Sequence, residues 1–190
     1  PEPTPTQKAS IPVATATPLA PVATATPTAT PKRVPVGTLT VTEGVYSTES
    51  WLPWEATNEQ FYWQRVLDVL VDYDPVTWAY VPGLATSWKL ADKGMGITYT
   101  LRQGVQFHDG GGEVTAEDVA YSFNEFLFNP RSTHPFVAGL RAAKPTVKVV
   151  DRYTVSVEFG IPYLTAVAEL SSGQFGTGII SKAYVDKVGL

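Results

Sequence analysis

The chain has 190 residues, no cysteine, 16 prolines and 15 glycines, and 14 Lys and Arg against 18 Asp and Glu give a net charge of −4. That balance supplies no basic surface for phosphate neutralisation, and without cysteine there is neither a disulfide framework nor a thiolate metal site, so nucleic-acid binders and disulfide scaffolds are excluded. No run of about 18 apolar residues occurs, so no segment reads as a membrane-spanning helix.

The totals hide two unlike parts. Residues 1–36 hold nine of the prolines, no glycine and no aromatic residue. They carry Lys8, Lys32 and Arg33 against Glu2 alone, a net of +2, which leaves −6 for the rest. Val-Ala-Thr-Ala-Thr-Pro at 13–18 recurs at 22–27. A Pro/Thr/Ala segment has little apolar area to offset the entropy of ordering its backbone. Prolines at this spacing favour extended, polyproline-like conformations and act as a semi-rigid spacer. Residues 1–36 are therefore read as a disordered linker of the kind that holds an exported domain away from a surface.

Residues 37–190 are enough for one domain with a core. Thr38–Thr42 alternates around Leu39 and Val41 as a short strand. Thr57 and Gln60 make a capping-box spacing, and Phe61, Val66, Leu67, Leu70 and Val71 follow at roughly helical intervals, predicting a helix that stops near Asp72. Ile97, Tyr99 and Leu101 alternate with polar residues as a strand, Gly104 breaks it, and Val105–Phe107 continues as a second short strand. His108–Gly112 is turn-rich. Thr115 and Asp118 then cap a helix whose buried stripe is Val119, Phe123, Phe126 and Leu127, ended by Asn129-Pro130. Val147–Val150 and Thr154–Phe159 flank Asp151-Arg152 as a β-hairpin. Pro162 suits the first turn of a further helix facing Leu164, Val167 and Leu170 inward, and a short helix begins after Ser181. Strands and helices mix without regular βαβ alternation, which allows α/β or α+β.

The chemistry-bearing residues are few. His108, in Phe-His-Asp-Gly at a strand end, reads as a turn histidine, and no Gly-x-Ser-x-Gly nucleophile occurs. His134, before Pro135, reads as a solvated loop residue. Gly110–Gly112 is followed by Glu113, whose charge repels phosphate, rather than by the Gly-Lys-Ser/Thr of a phosphate cradle. Glu117 and Asp118 are adjacent in a helix and point apart, whereas glycosidase carboxylates face one another. Trp51, Trp54, Phe61, Tyr62 and Trp63 cluster within 13 positions. Trp51 and Trp54 precede the expected helix in a loop, where large aromatics either line a pocket or pack beneath the loop. No catalytic residue, metal or cofactor is expected. The linker and the tryptophans also allow an alternative, a secreted carbohydrate-binding protein or glycoside hydrolase fragment.

Three stretches in order, Pro82-Gly83-Leu84-Ala85-Thr86-Ser87-Trp88, Gly96–Gly110 and Val114–Phe123, resemble the bacterial extracellular solute-binding proteins of family 5, which include oligopeptide-, dipeptide- and nickel-binding components of ABC importers. Val149–Val155 resembles the hairpin that follows in that family, and Ile179–Gly189 a later stretch. The resemblance runs from about Thr38 to the end. It implies an α/β type II periplasmic-binding (Venus flytrap) fold, of which residues 37–190 are the N-terminal portion. It implies capture of a peptide or similar small solute, delivery to permease subunits of an ABC transporter, no enzymatic activity, and an extracytoplasmic place with a lipoprotein anchor. The signature motifs act as scaffold, and this portion alone is expected to hold no peptide because half the cleft lies in the other lobe. Ligand contacts are expected after the first strand: Glu43 for a ligand amine, and Tyr46, Trp51 and Trp54 as pocket walls. This sequence departs from the family there, with Leu52-Pro53-Trp54 in place of Leu-Asp-Pro.

Overall fold

The computed structural model describes residues 38, 40, 52–55, 63–172 and 176–189. The chain divides into two units, Pro1–Val41 and Thr42–Leu190. In the first unit only Thr38 and Thr40 are described; both are exposed and outside regular structure, and the rest of the expected first strand lies outside the described residues. In the second unit the elements run β1 (Val71–Tyr73), β2 (Tyr80–Pro82), β3 (Ala85–Leu90), β4 (Gly96–Leu101), α1 (Ala116–Phe128), α2 (Val137–Ala142), β5 (Thr146–Asp151), β6 (Thr154–Glu158) and α3 (Lys182–Val188).

Period-two alternation explains the larger sheet. Its order is β3-β4-β6-β5, antiparallel throughout. In the two inner strands Ile97, Tyr99, Leu101, Val155 and Val157 are buried, while Thr98, Thr100 and Ser156 face the other side. The register pairs Ile97 with Val157 and Tyr99 with Val155, so apolar side chains meet across strands. Gly96 has a steric role, since a Cβ there would stand 2.7 Å from the Val157 carbonyl oxygen of the paired strand.

Helix α1 covers the apolar face, lying against β5 and β6. Val119, Phe123, Phe126 and Leu127 are all fully buried, and Phe123 meets Tyr99 edge to face at 6.0 Å. Each such aromatic contributes about 1.5–3 kcal/mol by leaving water. At the helix start, Asp118 Oδ2 accepts from the Thr115 N–H (3.0 Å) and from its hydroxyl (2.9 Å). The helix ends at Phe128, before Asn129-Pro130, as its sequence predicts. The β5–β6 hairpin forms as expected, its turn held by the Tyr153 N–H donating to Asp151 Oδ1 (2.8 Å). Ser181 caps α3 by accepting from the Tyr184 N–H (3.2 Å), and Gly189 closes it at φ 74.

Four expectations need correction. The helix predicted to run to Asp72 stops short of it: Trp63 is helical, Gln64–Val66 form a turn, Leu67 a bend, and Val71–Tyr73 is strand β1, paired with β2. Backbone pairing to Pro82–Ala85 overrides the local periodicity, with the Gly83, Leu84 and Ala85 N–H groups donating to Leu70, Val69 and Leu70 carbonyls. Gly83 permits this approach, since a Cβ there would stand 2.5 Å from the Val69 oxygen. Val105–Phe107 makes only an isolated bridge, Gln106 to Glu113. After Pro162 the chain forms a π-helical turn, Val167–Ser171, with Val167 and Leu170 buried but Leu164 71% exposed. His134 is not solvated, as described below.

Candidate functional site

Of the four residues expected to meet ligand, Glu43, Tyr46 and Trp51 lie outside the described residues. Trp54 sits in the turn Leu52–Glu55, closed by the Glu55 N–H donating to the Leu52 carbonyl (3.0 Å). Its indole is buried in the core and meets the Tyr121 ring edge-on at 6.5 Å. The indole N–H has no acceptor among the described residues. The turn is held by the segment that follows α1: Thr133 N–H donates to the Trp54 carbonyl (3.3 Å), and Arg131 pairs with Glu55 at 2.9 Å.

The neighbour Leu52 faces a groove of about 780 Å³. Leu67, Leu84, Phe107, Ile179 and Tyr184 are among its other apolar lining residues, and Gly110–Gly112 form its rim. A smaller recess of about 280 Å³ shares Asp68, Leu84 and Val105 with it and adds Asp72 and Arg102. The Arg102 guanidinium is anchored to the Gly83 carbonyl (3.2 Å).

Glu113 sets the rim. Its carboxylate accepts from the Gly104 N–H (2.6 Å), the Arg152 guanidinium (2.8 Å) and the Tyr153 hydroxyl (3.1 Å). The Arg152 hydrogen bond, followed by that from Gly104, holds its pKa below the usual glutamate value. The Phe107 N–H to Gly112 carbonyl bond (2.8 Å) closes the rim loop between these anchors.

One buried helix-start carboxylate positions the opposite wall. Asp118 Oδ1 accepts from the Lys182 N–H (3.0 Å), so this side chain serves the N-termini of both α1 and α3. One turn on, the Ser122 hydroxyl accepts from the Ile180 N–H (3.0 Å) while donating to the Asp118 carbonyl (2.9 Å). The Ile179 N–H donates to the Asp68 carbonyl (2.9 Å). Sequence reasoning found the Thr115/Asp118 cap but missed this second duty. The one available signal was that Asp118 and Ser122 occupy the same helix face as Phe126, four residues apart.

The histidines divide. His108 is exposed in a turn whose carbonyl accepts from the Gly111 N–H (3.1 Å), as expected for a turn residue. His134 is buried between the rings of Phe126 and Phe136, each 5.3 Å away, and its Nδ1 accepts from the Phe136 N–H (3.5 Å). Burial lowers its pKa below 6.5, opposed by the Glu169 charge. Phe136 is two residues along the chain, but Phe126, eight residues earlier in α1, meets the histidine only after the chain turns back beyond Asn129-Pro130, which explains the error. Glu117 is exposed and Asp118 buried, so the two carboxylates do point apart. Among the described residues no group of three or more His, Asp or Glu converges on one point. An apolar groove with fixed polar rims has the chemistry of a binding surface.

Residues 79–183 match the profile of the bacterial extracellular solute-binding proteins, family 5 Middle. Heme-binding protein A of Haemophilus influenzae is 28% identical over 149 residues, covering 70% of this chain and 27% of the relative. The dipeptide-binding protein of Escherichia coli is 30% identical over 131 residues, covering 62% and 24%. The chain thus spans about a quarter of the length of these curated relatives. The dipeptide binding protein of Pseudoalteromonas sp. SM9913, solved with Met-Leu, superposes with a TM-score of 0.64 at 23% identity, over 74% of this chain and 31% of that one. The ABC transporter-associated periplasmic binding protein DppA of Helicobacter pylori, solved with the peptide STSA, gives 0.61 at 24% identity, over 74% and 30%. The fold described above is therefore that of periplasmic binding proteins.

Proposed function

The chain belongs to the bacterial extracellular solute-binding proteins of family 5, and from that premise we propose that it is part of the peptide-capturing subunit of an ABC importer. The receptor works outside the cytoplasm, binds short peptides and delivers them to permease subunits in the membrane; it is not an enzyme. The observation that carries the peptide reading is the family match together with relatives named for dipeptides. Residues 1–36 act as the spacer between a lipid anchor and the folded receptor. Glu43 meets the ligand amine and Tyr46 and Trp51 wall the pocket, whereas Trp54 packs in the core.

Titration calorimetry on the complete receptor tests the reading. A panel of dipeptides is expected to bind at micromolar Kd or tighter. Hemin belongs in the same experiment because one relative is named for heme; binding of hemin alone, or of neither, defeats the peptide reading. Within a receptor that binds, Glu43→Gln removes a charge-assisted hydrogen bond and is expected to weaken affinity about tenfold or more. Unchanged affinity removes Glu43 from the site while leaving the peptide reading intact.

A further inference from the structure

The short helix α2 is held by ionisable side chains that the groove does not use. At its start, His134 Nδ1 accepts from the Phe136 N–H (3.5 Å), and the His134 carbonyl accepts from the Val137 N–H (3.0 Å). Phe136, the residue before the helix, has no capping side chain, so the imidazole supplies an acceptor there. At the middle of α2, the Tyr163 hydroxyl lies over Gly139, where a Cβ would stand 3.0 Å from its oxygen. That hydroxyl donates to the Glu169 carboxylate, on the π-helical turn Val167–Ser171. The Tyr163 ring itself rests on Phe159, 5.4 Å away.

The hydrogen bond at the start of α2 fixes which nitrogen of His134 can take a proton. A ring nitrogen that accepts from an N–H is the unprotonated one, so the neutral ring carries its proton on Nε2. A second proton enters at Nδ1 and turns the acceptor into a donor that faces the Phe136 N–H. The ring stands between Phe126 and Phe136, each 5.3 Å away, where neither neighbour can solvate a charge as water does. Most charged groups of the adjoining segments are engaged elsewhere. Glu125 accepts from the Asn129 amide, Arg131 pairs with Glu55, and the Arg141 guanidinium donates to the Leu127 and Asn129 carbonyls. Burial disfavours the charged ring and is the larger effect; the Glu169 carboxylate acts the other way, in favour of the imidazolium.

We propose that His134 is an acid-sensitive latch on α2: protonation at Nδ1 breaks the bond to the Phe136 amide, the imidazolium turns to Glu169, and Glu169 gives up the Tyr163 hydroxyl that lies over Gly139. Helix α2 then loosens at its start and at its middle. The β3-β4-β6-β5 sheet and α1 keep their apolar contacts, because none of the three groups takes part in the pairing of Tyr99 with Phe123 or in the strand ladders. The latch lies within the described fold and does not depend on which solute the receptor carries.

Hydrogen exchange of the complete receptor, read by mass spectrometry at about pH 7.5 and about pH 5 and corrected for the intrinsic effect of pH on exchange, tests the latch. At the lower pH the amides of Val137–Ala142 are expected to quicken about tenfold relative to those of Gly96–Leu101. His134→Gln removes the titrating group and is expected to abolish that difference. The His134 ring is followed in parallel by NMR of isotope-labelled histidine. Glu169→Gln takes away the charge that favours the imidazolium, so the titration of His134 and the loosening of α2 are both expected to move to lower pH. Tyr163→Phe keeps the ring on Phe159 and frees the carboxylate, and is expected to move both to higher pH. Equal pH dependence of α2 exchange in the parent and in His134→Gln overturns the proposal. So does an unmoved His134 titration in Glu169→Gln, since Glu169 is then not the counter-charge. Titration of His134 in the parent with no change in α2 also overturns it, because the ring then changes charge without releasing the helix.

Discussion

The β3-β4-β6-β5 sheet and the β1–β2 hairpin use the same antiparallel ladder and differ in what holds it. In the sheet, one face of the inner strands is buried under α1, and Tyr99 and Phe123 interlock there. In the hairpin, Tyr80, Trp78 and Val76 are exposed, and the turn is organised by Asp74 hydrogen bonds. Burial therefore supports the first and turn chemistry the second. A two-stranded hairpin is marginal by itself. This one is kept by its first strand, which enters the core at Leu70 and Val71, both fully buried.

Changes in the sheet core should unfold the protein as a whole, and changes at the hairpin turn should stay local. Phe123→Ala tests the first statement most severely. It removes a fully buried ring and is expected to cost about 3–5 kcal/mol, read as a lower urea midpoint by fluorescence. Asp118→Ala comes next. It strips a hydrogen-bond acceptor from the starts of both α1 and α3, with an expected loss of about 2 kcal/mol. Hydrogen exchange should show α3 and Ile179–Ser181 opening before the sheet; simultaneous opening would mean that α3 folds with the core rather than being latched to it.

His134 gives a smaller, pH-dependent effect. Its folded pKa lies below 6.5 because it is buried, so the unfolded chain binds the proton more readily. Stability then rises with pH where the two states differ in protonation, and is lost as pH falls through about 6.5 toward the folded value. Melting temperatures followed downward from pH 7.5 should fall less steeply in His134→Gln than in the parent; identical slopes would remove His134 as the source. The smallest effect is expected from Asp74→Ala, which frees the Val76 and Thr77 amides. Their exchange should quicken while the amides of β4 and β6 are unchanged. Faster exchange in both would erase the distinction between the two ladders.

Much of the scaffold is legible in order along the chain. Alternation in Gly96–Leu101 and Thr154–Glu158, the cap at Thr115, the stripe Val119–Phe123–Phe126–Leu127 and the stop at Asn129-Pro130 each depend on contacts within about four residues or on a period of two. The expected ligand residues are less legible: of Glu43, Tyr46, Trp51 and Trp54 only Trp54 lies among the described residues, and it faces the core while Leu52 faces the groove.

What the sequence by itself determined, then, was every element whose cause is local: inner strands, capped helix, tight hairpin and, through ordered motifs, the family. Only the tertiary structure decided the rest. Val71 left a helical pattern because Pro82–Ala85 offered backbone partners. His134 was drawn from solvent by the rings of Phe126 and Phe136. Glu113 joined Arg152 across 39 residues, and Asp118 joined Lys182 across 64. Such pairings depend on which surfaces the packed core brings together, and no periodicity within a single segment encodes that.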